Sequence, residues 1–433
     1  MIVGGFHYIC RMKVSRAEHT GKAGWRRVAL VGVNALVLVL LTLAGNSLPY
    51  DLGGEGALMK RLDVARQALG MAGADMGALA DRFLAVNVGY DRELVPAYDE
   101  FGIPAGERAV VSRGRLAQLL DSLDGAPYKC ILLDVQFFKS DVTEADSALF
   151  AAISRMPRLA TAYNPDDDAV DAIAPDRFAA AEYGITIDEN NFVKYTFDRG
   201  DMPGMALAAY NIAGGRDVRL SGRCPTDSGR PANGSLCLSL PYRMESGYDA
   251  EGEKLYYNLG ADLLDVYDRG ELAALAAGKT VVIGDYVGGD DHDTYAGSMQ
   301  GPVIIMNAVM ALEQGRHLVN LWWLAVMFAV YALVVLFMMS DAARMLPFGL
   351  GRLRIWRFAA TFVSFSTVVV VMNVAAYLAT GVMYDLYFPT LYLTALYFVI
   401  EHNISARVRR RMAALGLHGK NIKQPLKTTD KPK

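Results

Sequence analysis

"KCILLDVQF", Lys129 to Phe137, decides the fold. It is a nearly continuous apolar run of strand length, and its first acid is Asp134. A strand with one wet face alternates apolar and polar residues. A run that is apolar on both faces belongs in a parallel sheet covered by helices on both sides. The flanks agree. Upstream, "FLAVNVGY" (83–90) reads as a strand, then a loop with Pro104 and Gly106, then "RGRLAQLLDSL" (113–123), apolar at helical spacing behind Ser112 as N-cap. Downstream, "KSDVTEADSALFAAISRM" (139–156) reads as a helix capped by Asp141 or Thr143, with Thr143 and Asp146 at capping-box spacing. "RLATAYN" (158–164) is the next strand. Strand, helix, strand, helix, strand signals an α/β domain with a largely parallel sheet and flanking helices.

Further along, "DDDAVDAIAPD" (166–176) is acidic and turn-like. "FVKYTF" (192–197) and "VRLSG" (218–222) read as strands around a helix near 202–213. Residues 261–277 read as one helix and "KTVVIGDY" (279–286) as a strand. "GPVIIMNAVMALEQG" (301–315) reads as a helix running on through Arg316 towards the next apolar segment.

The chain has 433 residues, of which 53% are hydrophobic, and that excess is concentrated in a few stretches. Residues 28–48 carry no charge and are about as long as a bilayer-crossing helix, roughly 20 residues. Segments 321–339, 358–379 and 386–402 are further candidates, which makes four transmembrane α-helices. The first has a longer apolar core than a cleaved signal peptide and reads as a retained anchor. Arginines and lysines flank it on the N-terminal side, fill 340–357 and follow the last segment, at Arg407 and Arg409 to Arg411. Basic flanks stay cytoplasmic. So 1–27, 340–357 and 403–433 are expected inside, both termini included, and 51–318 outside. The outer region holds 41 acidic against 24 basic side chains, a net charge of −17, whereas the whole chain is at −3. Such an acidic domain is not expected to bind nucleic acid or anionic lipid head groups. The tail from 412 is polar and Lys-rich, and reads as disordered. Outside the membrane, Cys224 and Cys237 can form a disulfide across a Pro- and Gly-rich loop, worth about 3 kcal/mol.

The outer domain offers one candidate ligand site. In open parallel sheets ligands lie beyond the carboxyl ends of strands. Asp134 ends one strand, while Asp285, Asp290, Asp291, His292, Asp293 and Thr294 follow another. The same residue types also make ordinary solvated turns. The acids lack the spacing of a calcium loop, and His292 has no neighbouring His or Cys for zinc. No nucleophile with a base, phosphate loop or paired-glycine fingerprint occurs. No metal, no cofactor and no enzymatic activity are therefore expected.

Three segments carry a family resemblance. They are "FLAVNVGYDRELVPAYDEFGIPAGERAVVSRGRLAQLLDSL", "ILLDVQFFKSDVTEADSALFAAI" and "GKTVVIGDYVGGDDHDTYAGSMQGPVIIMNAVMALEQGR". Their matching positions include Asp134, Phe137, Asp146, Leu149, Ala152 and Ile153, then Gly278, Lys279, Gly284, Asp293, Thr294, Pro302, Asn307 and Ala308. Over roughly 51–318 the chain resembles the second class of CHASE domains, the cyclase- and histidine-kinase-associated sensory extracellular domains. One membrane helix before the sensor and three after it fit as well. The resemblance implies a signal-sensing domain outside a bacterial inner membrane. Tyr295 stands where the family often has Pro, and residues 401–433 are too few for a catalytic output domain. Two functions are therefore expected in competition. One is a sensor or ligand-binding protein, in the bilayer and possible as a homodimer, that signals to a separate cytoplasmic protein. The other is a structural or assembly factor docking an envelope protein.

Overall fold

The computed structural model describes residues 3–50, 55–68, 76–98, 101, 103–164, 170–181, 193–222, 224–244, 246–249, 252–339, 354–385 and 387–414. Side chains at 3–24, 67, 98, 354–364 and 401–414 are outside that description. So are the acidic run at 165–169, most of the basic loop at 340–353 and the Lys-rich tail at 415–433.

Helix α1 (Val3–Ser47) contains the first apolar segment. Helices α2 (Glu55–Ala68) and α3 (Met76–Arg82) follow, and α3 runs directly into strand β1 (Phe83–Asn87). The expected loop at Pro104 and Gly106 is instead one arm of a hairpin. Strand β2 (Arg92–Tyr98) pairs antiparallel with β3 (Pro104–Val111). Helix α4 (Arg113–Leu123) starts behind Ser112, but the Ser112 side chain makes no cap bond. Glu93 Oε1, reaching over from the hairpin, accepts the Arg113 amide at 2.9 Å instead. A cap supplied from 20 residues away has no local signature. Strand β4 (Cys130–Leu133), helix α5 (Asp146–Arg155) and strand β5 (Leu159–Tyr163) match the expected alternation. Asp146 holds both the amide (3.2 Å) and the hydroxyl (3.0 Å) of Thr143.

Strands β6 (Phe178–Ala180) and β7 (Lys194–Thr196) precede helix α6 (Met205–Gly214). "VRLSG" is not a strand; its backbone folds onto side chains, with Val218 bonded to Asn211 and Leu220 to Asp198. Strands β8 (Thr226–Asp227) and β9 (Arg230–Pro231) form a short hairpin, and β10 (Ser235–Cys237) pairs with β7. Strand β11 (Tyr257–Asn258) leads into a π-helical turn, Leu259–Leu264. The expected single helix over 261–277 breaks there. Asp268 and Glu271 form a reciprocal capping box that starts helix α7 (Arg269–Ala276) afresh. Strand β12 (Thr280–Gly284) and the hairpin β13 (Asp291–Thr294) with β14 (Gly297–Gln300) precede helix α8 (Gly301–Glu313). That helix does not run on through Arg316, because Gly315 takes a left-handed φ of +69° and stops it. Asn320 then caps helix α9 (Leu321–Met338), its Oδ1 accepting the Trp323 amide. Helices α10 (Arg354–Thr380) and α11 (Tyr387–Ala414) are the last described elements.

The main sheet has six strands in the order β11-β1-β12-β4-β5-β6, and every neighbouring pair is parallel. Leu84, Val86, Ile131, Leu133, Leu159, Val281 and Ile283 share one buried core with α4, α5 and α7. Side chains alternate along a strand, so Ala85, Leu132, Ala160 and Val282 face the other side, where α6 and α8 pack. Both faces are covered, which is why the strand runs are apolar throughout. Helix α8 is buried from Gly301 to Leu312, which accounts for a helix with no charge before Glu313.

The chain divides into two compact units. One comprises Leu40–Met327 with Val369–Tyr387; the other comprises Met1–Val39, Phe328–Val368 and Phe388–Lys433. Within the second, Tyr392 donates to Asn34 Oδ1 at 2.7 Å and Phe337 meets Phe365 edge to face, so α1, α9, α10 and α11 touch side by side. Two helical segments, Trp25–Ser47 and Leu321–Met338, are long and apolar enough to cross a membrane. The apolar described parts of the last two helices, Phe365–Thr380 and Tyr387–Ile400, are shorter. Among the described residues two such segments stand where four were expected.

Candidate functional site

The strand order brings three carboxyl ends together. Strand β12 lies between β1 and β4, so Asn87, Asp285 and Asp134 end adjacent strands. The Asp134 amide bonds the Ile283 carbonyl at 2.8 Å and fixes that residue in the crevice. Gly284 is required here, because a Cβ would overlap Pro302 Cγ and lie 3.3 Å from Asp134 Cβ. Gly284→Ala is expected to lower stability by about 1–3 kcal/mol, the usual cost of overpacking, read as a lower melting temperature of the full chain.

Asp134 is partly exposed as a residue, yet its Oδ2 is fully sequestered and accepts no hydrogen bond. Burial pushes this carboxyl up to about 8, the nearby Asp290 adds to the rise, and His292 opposes it. Burial thus favours the protonated form of Asp134. His292 Nε2 lies 3.1 Å from Asp290 Oδ1, and that bond raises the imidazole above its ordinary value against the effect of burial. Asp134, Asp290 and His292 thus form one electrostatic cluster.

The remaining expected residues go elsewhere. Asp285 is buried and held by Arg92 Nη2 at 2.5 Å and the Val287 amide at 2.9 Å. It clamps the β1–β2 turn, because a Cβ at Gly89 would overlap Val287 and one at Gly289 would overlap Asp285. Asn87 Oδ1 accepts the amides of Gly89 and Tyr286, which ties the same two loops. Asp291 and Asp293 are exposed on β13, opposite Gln300 and Ser298. Thr294 is buried, and its hydroxyl donates to the Gly297 carbonyl at 2.6 Å and accepts the Ala296 amide, so it closes the hairpin turn. Tyr295 accepts the Leu240 amide and donates to Asp63 Oδ2 at 2.8 Å, tying this hairpin to α2. Among the described residues no group of three or more His, Cys, Asp or Glu could hold a metal.

No disulfide joins Cys224 and Cys237. Cys224 is exposed, whereas Cys237 is buried on β10, opposite Lys194 of β7. Strand pairing holds the second thiol inside and away from the first.

The sequence reading missed a cavity of about 430 Å³. Ser47 and Pro49 at the end of α1 line it, with Thr196, Asp198, Ser221 and Ser235. Burial pulls the Asp198 carboxyl upward, but Arg219 and the amides of Gly200 and Leu220 outweigh that and hold it below its ordinary value. The volume suits a small molecule. Its walls come from four separated stretches of Ser, Gly and Asp, which carry no spacing motif. Also missed was a largely buried trio at α6, in which Asp227 Oδ2 takes the hydroxyl of Tyr210 on that helix at 2.8 Å and His317 Nε2 at 2.9 Å.

Neither the curated proteins nor the solved structures contain a match to this chain. The family model described as CHASE2 domain matches residues 67–340. That span takes in the six-stranded sheet from β1 through β12, the strand-end crevice, α8 and α9. The chain belongs to the CHASE2 domain family, a family of extracellular sensory domains.

Proposed function

We propose that this protein is a sensor anchored in a bacterial inner membrane. Residues 51–318 face outward, four helices cross the bilayer, and the signal passes to a separate cytoplasmic partner. A small molecule in the cavity of about 430 Å³ is the signal, and the domain works by binding it rather than by catalysis. One observation carries this reading: a cavity-lining strand is tied to the first apolar helix. Thr196 of β7 and Ser235 of β10 line the cavity, and Lys194 of β7 donates to the Gly45 carbonyl of α1 at 2.9 Å. The unit that holds the sheet also contains the end of α1, the start of α9 and the end of α10. Ligand that changes the spacing of β7 and β10 therefore works directly on helix ends, with differential binding to two arrangements as the driving force.

The test uses the full chain in cells, with a photo-crosslinking residue at position 409. A cytoplasmic protein is expected in the adduct, and Ser235→Trp, which fills the cavity, is expected to change the adduct's yield at least threefold. An activity reporter fused to the C-terminus that works only outside the membrane would overturn the topology. An unchanged yield in Ser235→Trp would overturn the route from cavity to tail.

A further inference from the structure

Two arginines meet where the outer domain joins the helix ends. Arg66 lies in the last turn of α2 and Arg316 just after α8. Both guanidinium groups press on Gly381, the residue that ends α10. A Cβ there would lie 3.0 Å from Arg66 Nη1 and 3.3 Å from Arg316 Cζ. Arg66 is only 7% exposed, and its Nε and Nη1 are buried with no hydrogen-bond partner. Its guanidinium lies 5.2 Å from the centre of the Tyr377 ring. Asp63 is the nearby acid, but its two oxygens take the hydroxyls of Tyr295 and Tyr377. Neither arginine forms an ion pair among the described residues.

Two like charges side by side in a crevice, one of them buried with idle donors, repel each other and go unsolvated. Burial first and then the adjacent Arg66 lower Arg316 below the usual arginine value, and Tyr377, Tyr242 and Asp63 only partly oppose that fall. The carboxyl end of α10, capped by Gly381 in a left-handed turn with φ of +71°, offers roughly half an elementary negative charge. Together with the one carboxylate of Asp63, whose charge its two tyrosine bonds do not remove, that still falls short of two cations. The missing element is an anion with several acceptor oxygens, which paired guanidinium forks match in shape and charge.

We propose that Arg66 and Arg316 form a binding site for a phosphate-class anion beside the end of α10. The anion is either a phospholipid headgroup or a soluble phosphate. Only the lipid source rests on the membrane reading above; the arginine pair stands on its own geometry. Bound there, the anion bridges α2, the segment after α8 and the end of α10, and so joins the outer domain to the helices at a third point.

The test takes the full chain purified in detergent and stripped of lipid. Inorganic phosphate is titrated at constant ionic strength against chloride while thermal unfolding is followed. Phosphate is expected to raise the melting temperature of the native chain. Arg66→Gln and Arg316→Gln are each expected to weaken that effect at least tenfold in phosphate concentration, and exposed Arg82→Gln to leave it unchanged. Without phosphate, Arg66→Gln is expected to melt no lower than the native chain, because it removes an unpaired buried charge. An arginine that only packs would give the opposite sign. A second arm uses bilayer discs of phosphatidylcholine with or without phosphatidylglycerol, read by native mass spectrometry. Phosphatidylglycerol retained by the native chain and lost in Arg66→Gln identifies a lipid source; retention equal in both, with phosphate still active, identifies a soluble one. Phosphate stabilisation that is absent, or equal in all four proteins, overturns the site even where the topology holds.

Discussion

Asp134→Asn is expected to stabilise the protein at alkaline pH and to do little at acid pH. In the folded chain this carboxyl keeps its proton up to about 8, with burial as the first cause. In the unfolded chain an Asp releases its proton near 3.9. Between those values the unfolded state has lost a proton that the folded state retains. Stability therefore falls as pH rises from about 4 to 8 and levels off above 8. Each pKa unit is worth about 1.4 kcal/mol. Asp134 is partly exposed and shares its proton balance with Asp290 and His292, so about half of the full shift is a reasonable share, on the order of 3 kcal/mol. Asn has no proton to lose, and its amide can donate towards Asp290. The variant should melt on the order of 5–10 °C above the native chain at pH 8.5, and nearly together with it at pH 4.5. His292 is raised by its bond to Asp290, so its own contribution is lost as pH rises through its folded value. Asp134 also helps to raise His292, so the difference between the two proteins reads Asp134 together with its coupling to His292. A gap of the same size at both pH values would show that Asp134 is not a neutral buried acid.

The parallel sheet was legible because it depends on local patterning. "CILL" in "KCILLDVQF" is apolar at every strand position and "TVVIG" in "KTVVIG" at every one after Thr280, and only a sheet covered on both faces requires that. What stayed hidden was built by distant residues. Ser112 looked like a cap, but Glu93 does the capping; the break before α7 depends on Asp268 taking a second N-cap. The site followed the same division. Asp134 was readable from its place at a strand end. Which acids share its crevice was not, because the β13–β14 hairpin sends Asp290 and His292 towards Asp134 while Asp291 and Asp293 face solvent. Asp285 drew notice as a ligand candidate and serves as a clamp for Arg92. The cavity and the arginine pair could not be seen at all. Each draws on three or more segments, and neither Ser47 nor Arg66 carries a local pattern that announces its partners.

The second large effect concerns the charge buried under the hairpin. Arg113 is 2% exposed, and its guanidinium lies 4.7 Å from the centre of the Phe137 ring and 5.8 Å from that of Phe150. Its Nη2 donates to the Asp141 carbonyl at 3.2 Å. Its Nη1 is 3.3 Å from Asp146 Oδ1, close enough for an ion pair though not aligned as a hydrogen bond. Burial lowers Arg113 below its ordinary value, and Asp146 and then Glu93 oppose that fall. Removing the partner of a buried charge costs about 3–5 kcal/mol, whereas replacing the whole pair by apolar groups of similar volume is often close to neutral. Asp146→Ala should therefore destabilise by about 3–5 kcal/mol, including the loss of its two bonds to Thr143. Arg113→Met keeps the stem against Phe137 and Phe150 and should cost less. In the double variant Asp146→Ala/Arg113→Met no charge is stranded, so the cost should fall short of the sum of the single variants by about 2 kcal/mol, measured as a double-mutant cycle in denaturant. Strict additivity would mean that Asp146 acts only through Thr143 and that the aromatic rings alone accommodate Arg113. The coupling matters beyond stability. Glu93 holds the amide of the same Arg113, and its neighbour Arg92 grips Asp285 at the carboxyl edge of the sheet. A loosened Arg113 would therefore free the hairpin and, through it, the loop that carries Asp290 and His292, so Asp146→Ala should also shrink the pH-dependent gap that Asp134→Asn opens.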